Sequence, residues 1–107
     1  MELLPADLRV SLPALYSQEG NPDPRVHLKF FTPDSDWTWF VTEGEAREAD
    51  FLFFGFVCGF EEEWGYFVLS ELASVGDGGR LPIERDMHFR PGPFTEVIAR
   101  YRKERGQ

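Results

Sequence analysis

Residues Phe51 to Phe60 (FLFFGFVCGF) form a ten-residue run without a charged, amide or hydroxyl side chain, and this run constrains the fold more than any other stretch. It falls well short of the ~20 apolar residues that a membrane-spanning helix requires. A strand half-buried in a sheet would alternate polar and apolar residues. The run is therefore apolar on both faces and reads as the central strand of a sheet, with Gly55 and Gly59 allowing a bend or the close packing of a neighbour.

The flanking segments supply partners for that strand. Val26-His27-Leu28-Lys29-Phe30 alternates in polarity, and Thr32-Pro33-Asp34-Ser35-Asp36 has the composition of a turn. Trp37 to Thr42 then places Trp37, Trp39 and Val41 on one face of a second strand. A charged loop is expected over Glu43 to Asp50, a turn over Glu61 to Glu63, and a fourth strand over Gly65 to Leu69. Short connections between consecutive strands predict an antiparallel meander.

Helical signals lie outside this block. Leu4, Leu8, Leu12 and Leu15 suit a helical face that Pro13 must interrupt, leaving two short pieces before the loop Gly20 to Pro24. Ser70 is placed to cap a short helix over Glu71 to Val75, and Leu81 to Phe89 reads as extended or irregular. Thr95 is placed to cap a last helix, in which Phe94, Val97, Ile98 and Tyr101 share one stripe and Arg102, Lys103 and Arg105 lie near the C-terminal end. The expectation is one α+β domain over residues 1–107: a single antiparallel sheet of about four strands, short N-terminal helices, and one amphipathic C-terminal helix packed on it.

Charge narrows the classes of partner. Residues 1–79 hold fifteen acidic against four basic side chains, a net −11, whereas residues 80–107 are net +3. A body of that sign repels phosphate backbones, which disfavours direct nucleic-acid binding and suits a basic protein surface or simple solubility. The single cysteine, Cys58, excludes an internal disulfide and a multi-cysteine zinc site. The first residues have no signal-peptide character and no run spans a bilayer, so a cytoplasmic location without membrane association is expected.

No P-loop, GxGxxG, GxSxG or HExxH motif is present. Glu84, Asp86 and His88 alternate, so an extended backbone would put two carboxylates and an imidazole on one face, a ligand set for a divalent metal. Asp34 and Asp36 flank a turn, where such residues ordinarily satisfy backbone amides. Cys58 sits among apolar residues, where burial keeps it a thiol. Trp37, Trp39 and Phe40 can serve as core, as an interface hot spot, or as a stacking platform for single-stranded bases, with Arg100, Arg102, Lys103 and Arg105 available to phosphates.

Lys29 to Trp39 (KFFTPDSDWTW), Phe53-Phe54-Gly55 through Gly65-Tyr66-Phe67, and Leu81 to Asp86 (LPIERD) resemble, in the same order, the family catalogued as domain of unknown function 2958. The resemblance implies a bacterial protein of the kind encountered among genes of plasmids, integrated elements and phages, and it transfers no catalytic residues. In that context small acidic proteins include inhibitors of restriction and CRISPR systems. Sequence alone thus leads to a non-enzymatic protein-binding module without a cofactor, using Asp34, Asp36, Trp37, Trp39, Glu61, Glu62 and Glu63 to engage a nucleic-acid-binding host protein. The alternatives are a metal-dependent enzyme or sensor at Glu84, Asp86 and His88, and a weak single-strand binder.

Overall fold

A computed structural model describes residues 1–107, the side chain of residue 77 excepted. In chain order its elements are α1 (Ala6–Ser11), β1 (Arg25–Val26), β2 (Leu28–Phe31), β3 (Thr38–Arg47), β4 (Asp50–Cys58), β5 (Glu62–Val68), α2 (Leu69–Ser74), β6 (Val75–Gly78), β7 (Glu84–Arg85), β8 (Gly92–Pro93) and α3 (Phe94–Glu104). The chain is α+β, with a five-stranded antiparallel sheet in the order β5-β4-β3-β2-β7 and a two-stranded sheet of β1 and β8. No described helix is long and apolar enough to cross a membrane.

The meander of β2 to β5 is present, and two differences from expectation extend it. Leu81 to Phe89 contributes β7, which pairs with Phe30 and Phe31 at the far edge of β2. The presumed charged loop after Thr42 is instead the second half of β3, which runs to Arg47 and turns back through Glu48 and Ala49 into β4. Its charges misled the reading because the outer end of a long hairpin projects into water, where a strand needs no apolar face. The Val26 to Phe30 strand is also split. Val26 pairs with Gly92, while Leu28 pairs with Val41.

Residues 51–58 of the apolar run lie in β4, which is paired with β3 on one side and β5 on the other; β3, not β4 as expected, holds the middle of the sheet. Successive side chains of β4 point to opposite faces. Phe51 and Phe53 enter one core with Leu3, Leu4, Leu12, Leu72 and Ile83, so the N-terminal segment and α2 cover that face. Phe56 and Cys58 enter a second core with Phe40, Val97, Ile98 and Tyr101 beneath α3. Each ring buried this way contributes about 1.5–3 kcal/mol, more than a helix cap supplies, so apolar burial holds the covers and polar contacts set their position.

Those polar contacts come from a distance. Neither Ser70 nor Thr95 caps its own helix, because each lies inside the first turn. Their amides and hydroxyls instead donate to remote carboxylates: Thr95 N and Oγ1 to Asp23 at 2.9 and 2.7 Å, and Ser70 N and Oγ to Asp50 at 3.1 and 2.5 Å. Each aspartate performs the capping function from outside the helix. The Ser70 hydroxyl and then the Phe51 amide hold the Asp50 carboxyl below its ordinary value. At the N-terminus a single helix forms rather than two pieces, and Leu15 to Gly20 follows as turns.

A register shift between Val41 and Glu43 bends β3 against β4. Beside it, a Cβ on Gly55 would lie 2.0 Å from the Phe40 carbonyl oxygen, so no larger residue fits without moving the backbone. Gly65, paired to Gly55 on β5, has open space above it. Gly55→Ala is expected to destabilise the fold by about 3 kcal/mol, the upper end of overpacking costs, whereas Gly65→Ala is expected to stay within about 0.5 kcal/mol of the parent. Urea unfolding of both variants checks the contrast.

Candidate functional site

Two surface features combine aromatic rings with carboxylates, and the first gathers residues expected from the sequence. Thr32 anchors the turn before β3: its hydroxyl accepts from Trp37 N at 3.0 Å and its amide donates to the Trp37 carbonyl at 3.0 Å. Trp37 is thereby laid over Gly59, where a Cβ would fall only 2.3 Å from the indole. The Trp37 ring stacks on Trp39 at 5.8 Å and meets Phe60 edge-on at 5.4 Å. Phe60 is 96% exposed, and exposed Glu61, Glu62 and Glu63 follow it directly.

Phe60 is the member of this patch that the sequence reading missed. As the last residue of the apolar run it looked like buried strand, but β4 ends at Cys58 and the chain turns at Gly59, with Gly59 N donating to the Glu61 carbonyl. Gly59 before it was the available signal, whereas Glu62 and Glu63, expected in a turn, open β5. Phe40 lies in the core under α3, which removes it from any external platform.

The candidate carboxylates have different surroundings. Asp36 is exposed beside Trp37, 3.5 Å from Arg105. Asp34 is tied instead to the segment after β6: it accepts from Leu81 N at 3.2 Å and lies 3.4 Å from Arg80. The Leu81 amide, with Arg80, holds its carboxyl below the usual range. Glu62 pairs with Arg102 at 2.8 Å. The basic end of α3 thus folds back on the acidic tip, through exposed pairs worth roughly 0–1 kcal/mol each.

Glu84, Asp86 and His88 do not converge. The strand ends at Arg85, and Asp86 turns the chain: Oδ1 accepts from His88 N at 2.9 Å while Oδ2 lies 3.5 Å from Lys29 Nζ. The shared face required an extended backbone across all three residues. Among the described residues no three His, Cys, Asp or Glu side chains form a group that could hold a metal ion. Cys58 is buried, and burial, followed by the charge of Glu62, pushes its thiol up to about 11.

The second feature is a cleft beside α3, about 340 Å³ in volume, where the Tyr16 to Pro24 segment crosses the sheet. Its walls include the rings of Tyr16, Phe54, Trp64 and Tyr66, and it is also lined by Glu19 and Glu43. Glu43 is only 5% exposed, and its two carboxylate oxygens accept from Tyr16 N at 2.8 Å and Gln18 N at 2.9 Å. Gln18 in turn donates to the Thr42 and Arg25 carbonyls. Tyr16 adopts φ of +71°, an unfavourable conformation for an aromatic residue that these contacts hold in place. Sequence reasoning missed this cleft, although Trp64 and Tyr66 alternate along β5 and so share a face.

Fold and site together define a small α+β protein whose antiparallel sheet is covered on both faces and whose exposed rings are bordered by carboxylates. The chain belongs to the family described as protein of unknown function (DUF2958), whose model matches residues 3–106, nearly the whole chain. No curated protein and no solved structure matches it.

Two outcomes test these local environments. Glu43→Gln keeps the side-chain size but offers an NH₂ group to one of the two amides, so a loss of about 1–3 kcal/mol in urea unfolding is expected, with faster hydrogen exchange at Tyr16 and Gln18. A thiol near 11 is about one part in a thousand thiolate at pH 8. Cys58 should therefore react with a thiol reagent at pH 8 far more slowly in the native protein than in urea.

Proposed function

We propose that the protein is a non-enzymatic interaction module that engages a basic surface of another protein through the Trp37, Trp39 and Phe60 rings and the adjoining carboxylates Asp36, Glu61, Glu62 and Glu63. The observation that carries this reading is Phe60, almost wholly in water and edge-on to a stacked tryptophan pair. Aromatic anchors surrounded by polar groups are the usual composition of interface hot spots. Asp34, turned toward Arg80 and Leu81, supports the loop rather than the contact.

A net charge of −11 over residues 1–79 suits a partner that is itself cationic, as nucleic-acid-binding surfaces are. Family context extends the proposal to a bacterial mobile-element protein acting in the cytoplasm. Its partner would be a component of a host restriction or CRISPR system, whose nucleic-acid site it blocks. Direct nucleic-acid binding is less well supported, since a net −11 over residues 1–79 repels phosphate backbones. A metal-dependent activity at Glu84, Asp86 and His88 has no geometric support.

Affinity capture from lysate of a bacterium carrying both defence systems provides the test. A saturable partner is expected, with recovery reduced at least about tenfold by Phe60→Ser and by combined Glu61→Lys, Glu62→Lys and Glu63→Lys, as loss of a hot spot or of charge complementarity requires. Recovery unchanged in both variants, or no saturable partner, overturns the reading.

A further inference from the structure

The cleft beside α3 takes no part in the proposed protein contact, and its chemistry points to a ligand of its own. Phe54 stacks on Trp64 at 5.8 Å and 14°, and lies 4.9 Å from Tyr66. Trp64 also meets Phe94 of α3 at 4.7 Å. Tyr16, Trp64 and Tyr66 line the cleft and are partly open to water. Glu19 and Glu43 line the same space, and no lysine or arginine does. Both carboxylates lie outside the ion pairs found among the described residues.

We propose that this cleft binds an alkylammonium cation, held between the Tyr16, Trp64 and Tyr66 rings and facing the carboxylates of Glu19 and Glu43. Aromatic faces attract a cation through the ring quadrupole, and quaternary or methylated ammonium groups are the ligands such cages take. The two carboxylates add attraction for a cation and repel an anion. A volume of about 340 Å³ lies at the small end of ligand sites, which suits a compact head on a short chain.

One competing cation fits less well. A divalent metal needs several converging ligands, and no such group of three exists among the described residues. An ammonium head needs only ring faces and a nearby negative charge. The Tyr66 phenol is pushed up, first by the Tyr16 hydroxyl and by burial, with smaller contributions from Glu43 and Glu19. The bonds from Tyr16 and Gln18 to Glu43 set the Tyr16 wall before any ligand arrives, which lowers the ordering cost of binding.

A free amine and a methylated lysine of a protein share this head group, so calorimetry on the full chain uses both. The probes are choline, its uncharged isostere with tert-butyl in place of trimethylammonium, and a short peptide carrying one trimethylated lysine. Saturable binding of choline or the peptide is expected, with the isostere at least about tenfold weaker than choline, the factor one desolvated cation–π contact supplies. Equal affinity for choline and peptide assigns the site to small amines; a peptide tighter by tenfold or more assigns it to a protein side chain. Tyr66→Leu and Tyr16→Ala, both at exposed rings, should each weaken binding about fivefold or more without lowering the melting temperature by more than about 3 °C. Isostere binding equal to choline, no saturation with either cation, or full affinity in both variants overturns the proposal. Phe60→Ser should leave cation binding unchanged, so this site and the tip patch stand or fall separately.

Discussion

The fold depends on burying β4 from both sides. Phe51 and Phe53 point one way, and Phe56 and Cys58 the other, so neither face of the sheet can be left to water. A chain of this length has little material for two covers, and it uses short elements: the N-terminal segment with α2 on one face, α3 on the other. The cover over the second face is incomplete. The Tyr16 to Pro24 segment lies over another part of that face, and the cleft forms between this segment and Phe54, Trp64 and Tyr66 of the sheet.

Short covers need fixing in place, and carboxylates do much of that work. Asp23, Asp50 and Glu43 each reach from one segment to backbone amides of another, locating α3, α2 and the Tyr16 loop. Part of the acidic character is therefore architectural. Another part is offset locally, where Arg102 and Arg105 return to Glu62 and Asp36. Glu61 and Glu63 at the tip and Glu19 in the cleft belong to the carboxylates outside any ion pair of the described residues, and they give the two aromatic surfaces a negative setting.

The rings divide along the same lines. Phe30, Phe40, Phe51 and Phe53 are excluded from water and explain the high aromatic content as packing. Trp37, Phe60, Trp64 and Tyr66 retain exposure, although each touches another aromatic ring. Clusters of that kind hold a fixed shape while presenting apolar surface, which is what recognition requires.

Sequence by itself determined the meander of β2 to β5, because polarity patterns of period two and a run apolar on both faces have few other solutions. It also located the amphipathic stripe of α3 and the close packing at Gly55 and Gly59. Tertiary structure alone decided the rest. The polar second half of β3 and the short β7 exist through pairing with distant strands, which leaves no local periodicity. Glu43 became a buried clamp only because a loop 25 to 27 residues away brings amides to it. Glu84, Asp86 and His88 separated because a turn at Asp86 replaced the extended backbone their alternation assumed. Side-chain convergence across long sequence separations depends on register and turn placement, and these are fixed only when both faces of β4 find their covers.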